Sequence, residues 1–185
     1  MKPLVLIRHG ETAMAGLFCG HSDPPLTDAG YRQIEHAASL LSKRPDVIYT
    51  SDLKRARQSA DVLASRFCIP VLTRPGLREI SFGNWDGLSW QEIEEQYPEE
   101  SQLWMERYPY GVIPSGEPYE EFRKRVLEEM AFLVAEPEAR SVVAVTHAGF
   151  MTTALSELYA YSRAEAGSYS AQYGSVIPIP PPCTK

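Results

Sequence analysis

Apolar residues recur along this chain with two different periods. Leu4-Val5-Leu6-Ile7 and Val142-Val143-Ala144-Val145 are short unbroken apolar runs, the first stopped by Arg8-His9-Gly10 and the second by Thr146-His147-Ala148-Gly149. Runs this short, with β-branched members and a closing glycine, predict strands buried on both faces, although periodicity alone also admits a buried helix segment. Val47-Ile48-Tyr49-Thr50-Ser51 predicts another strand. Ile69-Pro70-Val71-Leu72 predicts a short edge strand, because proline would remove a ladder hydrogen bond from a central one. Val176-Ile177-Pro178-Ile179 predicts a last strand running into an extended tail, Pro180-Pro181-Pro182.

Between these runs the spacing becomes helical. Ile34, Ala37, Ala38 and Leu41 share a face behind Thr27, an N-cap candidate, while Arg32, Glu35, His36 and Lys43 fall on the solvated side. Leu53, Ala56, Ala60, Leu63 and Ala64 predict a second helix, starting near Asp52, capped by Thr50 or Ser51 and carrying Arg55 in its first turn. Phe122, Val126, Met130 and Leu133 mark a longer helix after Glu117, and Met151, Ala154, Leu155 and Leu158 one after His147. From Ser89 to about Tyr119, Trp90, Ile93, Tyr97, Leu103 and Trp104 alternate with glutamates and are cut by Pro98, Pro109, Pro114 and Pro118. That stretch predicts short helices forming a cap over the strand ends, with Trp85, Trp90 and Trp104 as cap core. Helices alternating with buried strands over 185 residues predict an α/β fold with a parallel sheet. A single domain spanning 1–185 is expected, with the cap as an insertion at about 85–119.

Charge narrows the partners. A formal net charge of -6 argues against extended contact with a nucleic-acid backbone, yet a cleft can still focus a few cations on a small anionic ligand. The chain shows no charged segment leading into an apolar one at its start, and no apolar run near the roughly 18 residues of a membrane helix. The expectation is a cytoplasmic protein without nucleic-acid or membrane partners; oligomeric state is not legible. Cys19, Cys68 and Cys183 are scattered and form no CxxC, which argues against a disulfide framework or a thiolate zinc site.

The two strand ends carry the candidate chemistry. In α/β sheets ligands bind beyond the carboxyl ends of the strands, so Arg8, His9 and His147 are expected at one edge, with Arg55 in the first turn of a helix leaving the same edge. Planar guanidiniums match phosphate oxygens with paired charge-assisted bonds. An imidazole, with an ordinary pKa of about 6.5, is a nucleophile that needs no separate base near neutral pH, and nearby arginines favour its neutral form at His9. His147 suits a donor to the equatorial phosphate oxygens in the transition state, where such donors contribute about 3 kcal/mol each. Glu79, set among Leu77, Ile80 and Phe82, suits the general acid that protonates the leaving alkoxide and later the base that activates water. Two other chemistries fit the same residues: a zinc site built from the two histidines and the glutamate, and a pocket that binds a phosphorylated metabolite without turning it over. No Walker sequence, EF-hand or H-E-x-x-H motif calls for a nucleotide loop or a metal.

Arg8-His9-Gly10-Glu11-Thr12, the loop Gly20-His21-Ser22-Asp23-Pro24-Pro25-Leu26-Thr27-Asp28-Ala29-Gly30, Thr50-Ser51-Asp52-Leu53-Lys54-Arg55-Ala56 and Thr146-His147-Ala148-Gly149 together resemble the histidine phosphatase superfamily, in its phosphoglycerate mutase-like branch. The resemblance spans nearly the whole chain in order. It implies a three-layer αβα sandwich with a mostly parallel sheet, no metal and no organic cofactor. By its implication His9 is the phosphorylated nucleophile, Arg8, Arg55 and His147 form the phosphate pocket, and Glu79 is the proton donor; Thr12 and His21 are further candidates for substrate-binding side chains. The compact length and the segment from Leu77 to Gly87 look most like the alpha-ribazole phosphatases and related small phosphatases. Alpha-ribazole 5'-phosphate, from cobalamin biosynthesis, is then the first expected substrate, with a broad sugar or metabolite phosphatase and a phosphoglycerate mutase as alternatives. Mutases commonly carry Asn-Ser after the second His-Gly, where this chain has Phe150-Met151. The family also often has an asparagine shortly after its Arg-His-Gly, which Ala13-Met14-Ala15 lacks.

Overall fold

The computed structural model describes residues 3–135, 139 and 141–180, so Pro181, Pro182 and Cys183 of the proline tail lie outside the described residues. Five strands form one sheet: β1 (Leu4–Arg8), β2 (Val47–Thr50), β3 (Val71–Thr73), β4 (Val142–Thr146) and β5 (Val176–Ile179), in the order β3-β2-β4-β1-β5. The β1–β4, β4–β2 and β2–β3 pairings are parallel, and β5 runs antiparallel along β1. Both proline-bearing runs are at the edges, where a missing N–H costs no ladder bond.

The central strands are apolar up to their last residue because both faces are covered. Leu4, Leu6, Val142, Ala144, Val47 and Tyr49 pack on one side with α5 (Tyr119–Ala135) and α6 (Ala148–Leu158). Ile7, Val143, Val145 and Ile48 pack on the other with α1 (Asp28–Leu40) and α2 (Lys54–Phe67). Alternation with period two thus assigns neighbouring residues to opposite layers of an αβα sandwich.

Local chemistry sets the helix starts. The Thr27 hydroxyl accepts the Gly30 N–H at 3.0 Å, capping α1 as expected. The second helix differs: it begins at Lys54, two residues later than expected, and neither Thr50 nor Ser51 caps it. Ser51 Oγ instead accepts from Leu53 N, and the Asp23 carboxylate reaches across to the Lys54 N–H. The cap segment contains α3 (Trp90–Gln96), opened by a Ser89/Glu92 capping box, and α4 (Pro98–Arg107), with proline at its first position. Its core is Trp85, Ile93 and Ile113, flanked by Phe18, Phe82, Trp90 and Trp104. Leu103 and Leu158, two of the apolar residues that marked the helices, are exposed. A further helix, α7 (Arg163–Ser170), was not expected, although Ser162 and Glu165 form a capping box that the sequence displays.

One close approach anchors the turn after β1. A Cβ on Gly10 would lie 2.4 Å from the Gly30 carbonyl oxygen, and one on Gly30 would lie 2.3 Å from that of Glu11. Neither position has room for a methyl group, so the strand-end turn rests directly on the first turn of α1. Gly30→Ala would normally stabilise a helix by about 1 kcal/mol. Here it should destabilise the fold by about 1–3 kcal/mol, as overpacking does. A lower urea midpoint is the expected result, and a raised one would refute this packing.

Candidate active site

The β1–β4 register pairs Arg8 with Thr146, so the next residues out, His9 and His147, stand side by side. His9 N donates to Thr146 O at 3.0 Å, and the two ring centroids are 4.9 Å apart. His9 Nδ1 lies 2.7 Å from Gly10 O, which can only accept, so Nδ1 carries the proton. Nε2 is then a lone pair, and it accepts from Arg55 Nε at 3.2 Å. Both rings are buried, and among the described residues neither nitrogen of His147 meets a hydrogen-bond partner. A buried polar ring left unpaired costs about 1–3 kcal/mol, which an incoming oxygen ligand would relieve.

Arg55 is wholly buried in the first turn of α2. Its other donors reach the carbonyls of Ser22 at 2.6 Å, Gly20 at 2.8 Å and Cys19 at 3.2 Å. Arg8 Nη1 donates to the carbonyls of Ser170 and Ala171 at the end of α7, and its guanidinium lies 3.9 Å from the centre of the Tyr173 ring. Among the described residues neither arginine is ion-paired with a carboxylate, in contrast to Arg74, Arg78, Arg123, Arg125 and Arg163. Two cations held by neutral carbonyl dipoles keep their charge available to an anion.

Glu79 completes the group. It is buried, its Oε2 accepting from Gly149 N at 2.9 Å at the start of α6 and its Oε1 from Ile80 N at 3.0 Å. A Cβ on Gly149 would come within 2.3 Å of that carboxylate, so the glycine is what lets it approach the helix end. Arg8, His9, Thr12, Glu79 and Tyr173 line one cleft of about 250 Å³, while Arg55 and His147 lie buried behind His9. Thr12 is buried, its hydroxyl accepting the Met14 N–H. His21 is exposed, with Nε2 at 3.1 Å from the backbone oxygen of Glu79. His36 is exposed on α1, away from the group. Among the described residues no cluster of three or more His, Cys, Asp or Glu side chains is arranged to hold a metal ion.

Residues 4–180 match the profile of the histidine phosphatase superfamily, branch 1. The chain belongs to that superfamily. This histidine phosphatase is 29% identical over 174 residues to the adenosylcobalamin/alpha-ribazole phosphatase of Salmonella typhimurium (strain LT2), covering 92% of this chain and 86% of that protein. It is 33% identical over 154 residues to the metal-independent phosphoserine phosphatase of Arabidopsis thaliana, covering 80% of this chain and 65% of the other. The crystal structure of the alpha-ribazole phosphatase from Shigella flexneri superposes with a TM-score of 0.86 at 27% identity, over 96% of this chain and 90% of that one. The fold class and the phosphatase activity follow from these matches.

Several side chains that organise the phosphatase's cleft escaped the reading of the sequence. Asp86 accepts the N–H groups of Gly20, His21 and Ser22, shaping the loop whose carbonyls hold Arg55. Ser59 Oγ joins Gly10 N to Arg55 O. Arg125 donates to the carbonyls of Gly76 and Arg78 and to the Glu117 carboxylate, fixing the segment that presents Glu79. Thr146 Oγ1 ties the same segment to β4 through Leu77 O. Each reaches a partner far along the chain, and of the four only Thr146 falls in a motif.

Burial, reinforced by Arg55 and Arg8, pushes the His9 pKa well below its ordinary 6.5, against the opposing pull of the Gly10 carbonyl. Burial likewise lowers His147, with Arg55, His9, Arg8 and Arg125 adding to it. Below pH 6.5 the unfolded chain protonates these rings while the folded chain does not, so stability is full above about 6.5 and falls as pH drops beneath it. Ring resonances of His9 and His147 should therefore report neutral imidazoles at pH 6.5. A ring half-protonated there would contradict this burial effect.

Proposed function

We propose that this phosphatase hydrolyses phosphomonoesters through a phosphohistidine at Nε2 of His9, and that alpha-ribazole 5'-phosphate is its substrate. The carrying observation is the His9 ring itself: Nδ1 is fixed on Gly10 O, so the lone pair sits on Nε2 beside Arg55. In the first step Nε2 attacks phosphorus and the ester P–O bond breaks, while protonated Glu79 gives its proton to the leaving alkoxide. As the phosphoryl group arrives, Arg55 Nε exchanges Nε2 for a phosphate oxygen. Arg8 and His147 hold further oxygens, and Thr12 and His21 border the substrate. In the second step Glu79 takes a proton from water, the oxygen attacks phosphorus, and the P–N bond breaks to return neutral His9.

The substrate choice rests on the alpha-ribazole phosphatases of Salmonella typhimurium and Shigella flexneri as relatives. Phe150 and Met151, where mutases commonly carry polar residues, are fully buried and offer nothing to a second phosphate position. A screen of alpha-ribazole phosphate, phosphoserine and both phosphoglycerates should release inorganic phosphate, fastest from the first, with no isomerised product. Isomerisation would replace this reading with a mutase.

His9→Ala should abolish turnover and the acid-labile, base-stable phosphoenzyme trapped by quenching. Glu79→Gln should slow an alkyl phosphate by roughly 10²–10⁴-fold, the usual worth of general acid catalysis, and an activated aryl phosphate much less. Equal losses on the two substrates would remove Glu79 from the acid role.

A further inference from the structure

A second cavity, of about 310 Å³, adjoins the catalytic cleft. Phe18 and Phe82 line both, and Ala148 and Gly149, next to His147 and Glu79, line the second. Since the Gly149 N–H carries the Glu79 carboxylate, the residue proposed to protonate the leaving group stands where the two spaces meet. The remaining walls come from Ile80, Trp104, Tyr108 and Phe122, and from α7.

The charged groups on this wall already have partners, although the Glu157 carboxylate serves both Arg163 and Arg123. Glu117 is held by Arg125 at 2.7 and 3.0 Å. Arg163 donates to Glu157 at 3.3 Å and to the Tyr119 hydroxyl, with its guanidinium 4.7 Å from the Tyr119 ring centre. The buried hydroxyls of Thr152 and Ser170 bond each other at 2.8 Å. An ammonium entering here would lose its water without gaining a free carboxylate, and a carboxylate would have to compete for Arg163 with Glu157 and the Tyr119 hydroxyl, whereas an aromatic ring loses little and gains aromatic walls.

On α7, Arg163, Gly167 and Ser170 face the cavity at helical spacing, followed by Ala171 just past its end. A Cβ built on Gly167 meets nothing within 4 Å. The helix wall therefore has a gap at that position that packing does not require.

We propose that this cavity seats the leaving group, that it selects an uncharged group bearing an aromatic ring, and that Gly167 sets the size it accepts. This rests on the phosphatase reading above and adds where the alcohol sits and what excludes its competitors. Phosphates of small charged alcohols, phosphoserine among them, are then poor substrates for lack of a partner rather than for lack of space.

The test compares 2-naphthylmethyl phosphate, O-phosphoserine and acetyl phosphate on wild type, Gly167→Ala and Gly167→Leu. The first two share a primary alkoxide leaving group, and the third is small and needs little protonation. Wild type should prefer 2-naphthylmethyl phosphate to O-phosphoserine in kcat/KM by about 10-fold or more, the discrimination apolar pockets reach. Gly167→Leu should cost 2-naphthylmethyl phosphate about 10–200-fold, mainly through KM, and leave acetyl phosphate within about twofold. Gly167→Ala, adding a single methyl, should cost 2-naphthylmethyl phosphate less than Gly167→Leu does, and a thermal melt of both variants shows that the helix tolerates substitution. Equal losses on both substrates, no loss in Gly167→Leu, or a wild-type preference for O-phosphoserine would overturn the proposal and leave the phosphatase standing. Failure of wild type to release phosphate from any of the three would sink the phosphatase reading itself.

Discussion

The seam between β1 and β4 is the constraint on which the site depends. Parallel pairing of Arg8 with Thr146 sets the two histidines beside each other. The register cannot drift, because Leu6 belongs to the layer under α5 and α6 and Ile7 to the layer under α1 and α2. A slip of one residue would send each side chain to the wrong core. The spacing of two imidazoles is thus enforced by apolar packing on both sides of the sheet, at a distance from the imidazoles themselves.

Around that seam the chain treats its arginines in two ways. Arg74, Arg78, Arg123 and Arg125 meet carboxylates and serve to hold loops and helices together. Arg8 and Arg55 meet carbonyl oxygens, which orient a guanidinium without cancelling its charge. The outcome is a local positive field inside a chain of net charge -6, with the histidines kept neutral by burial and by those same cations. An anion entering the cleft meets two guanidiniums that no carboxylate among the described residues has paired.

The structure also joins the two spaces of the site through parts that have no chemistry of their own. Arg8 grips the carbonyls of Ser170 and Ala171 at the carboxyl end of α7, and the same two residues, with Arg163 and Gly167, line the apolar cavity. Phe18 and Phe82 form the shared wall. The cap core of Trp85, Ile93 and Ile113 stands behind these two phenylalanines and fixes where the wall lies.

Much of this was legible in the amino-acid order, because it depends on near neighbours. Unbroken apolar runs gave the buried strands, helical spacing gave α1, α2, α5 and α6, and the polar residues stopping two runs marked where chemistry would gather. Thr27 was readable as a cap, since its partner lies three residues away. The capping box of α7 was equally local and went unread because no long apolar face follows it. What only the folded chain decided are contacts between residues far apart in sequence. Asp86 under the loop at 20–22, Tyr173 against Arg8, Arg125 behind Glu79 and Asp23 over the start of α2 leave no periodic trace, because a hydrogen bond or a stacked ring needs only one residue at each end. Periodicity records which face of an element is dry. It does not record which distant segment supplies the single polar partner, and that was settled when the layers closed.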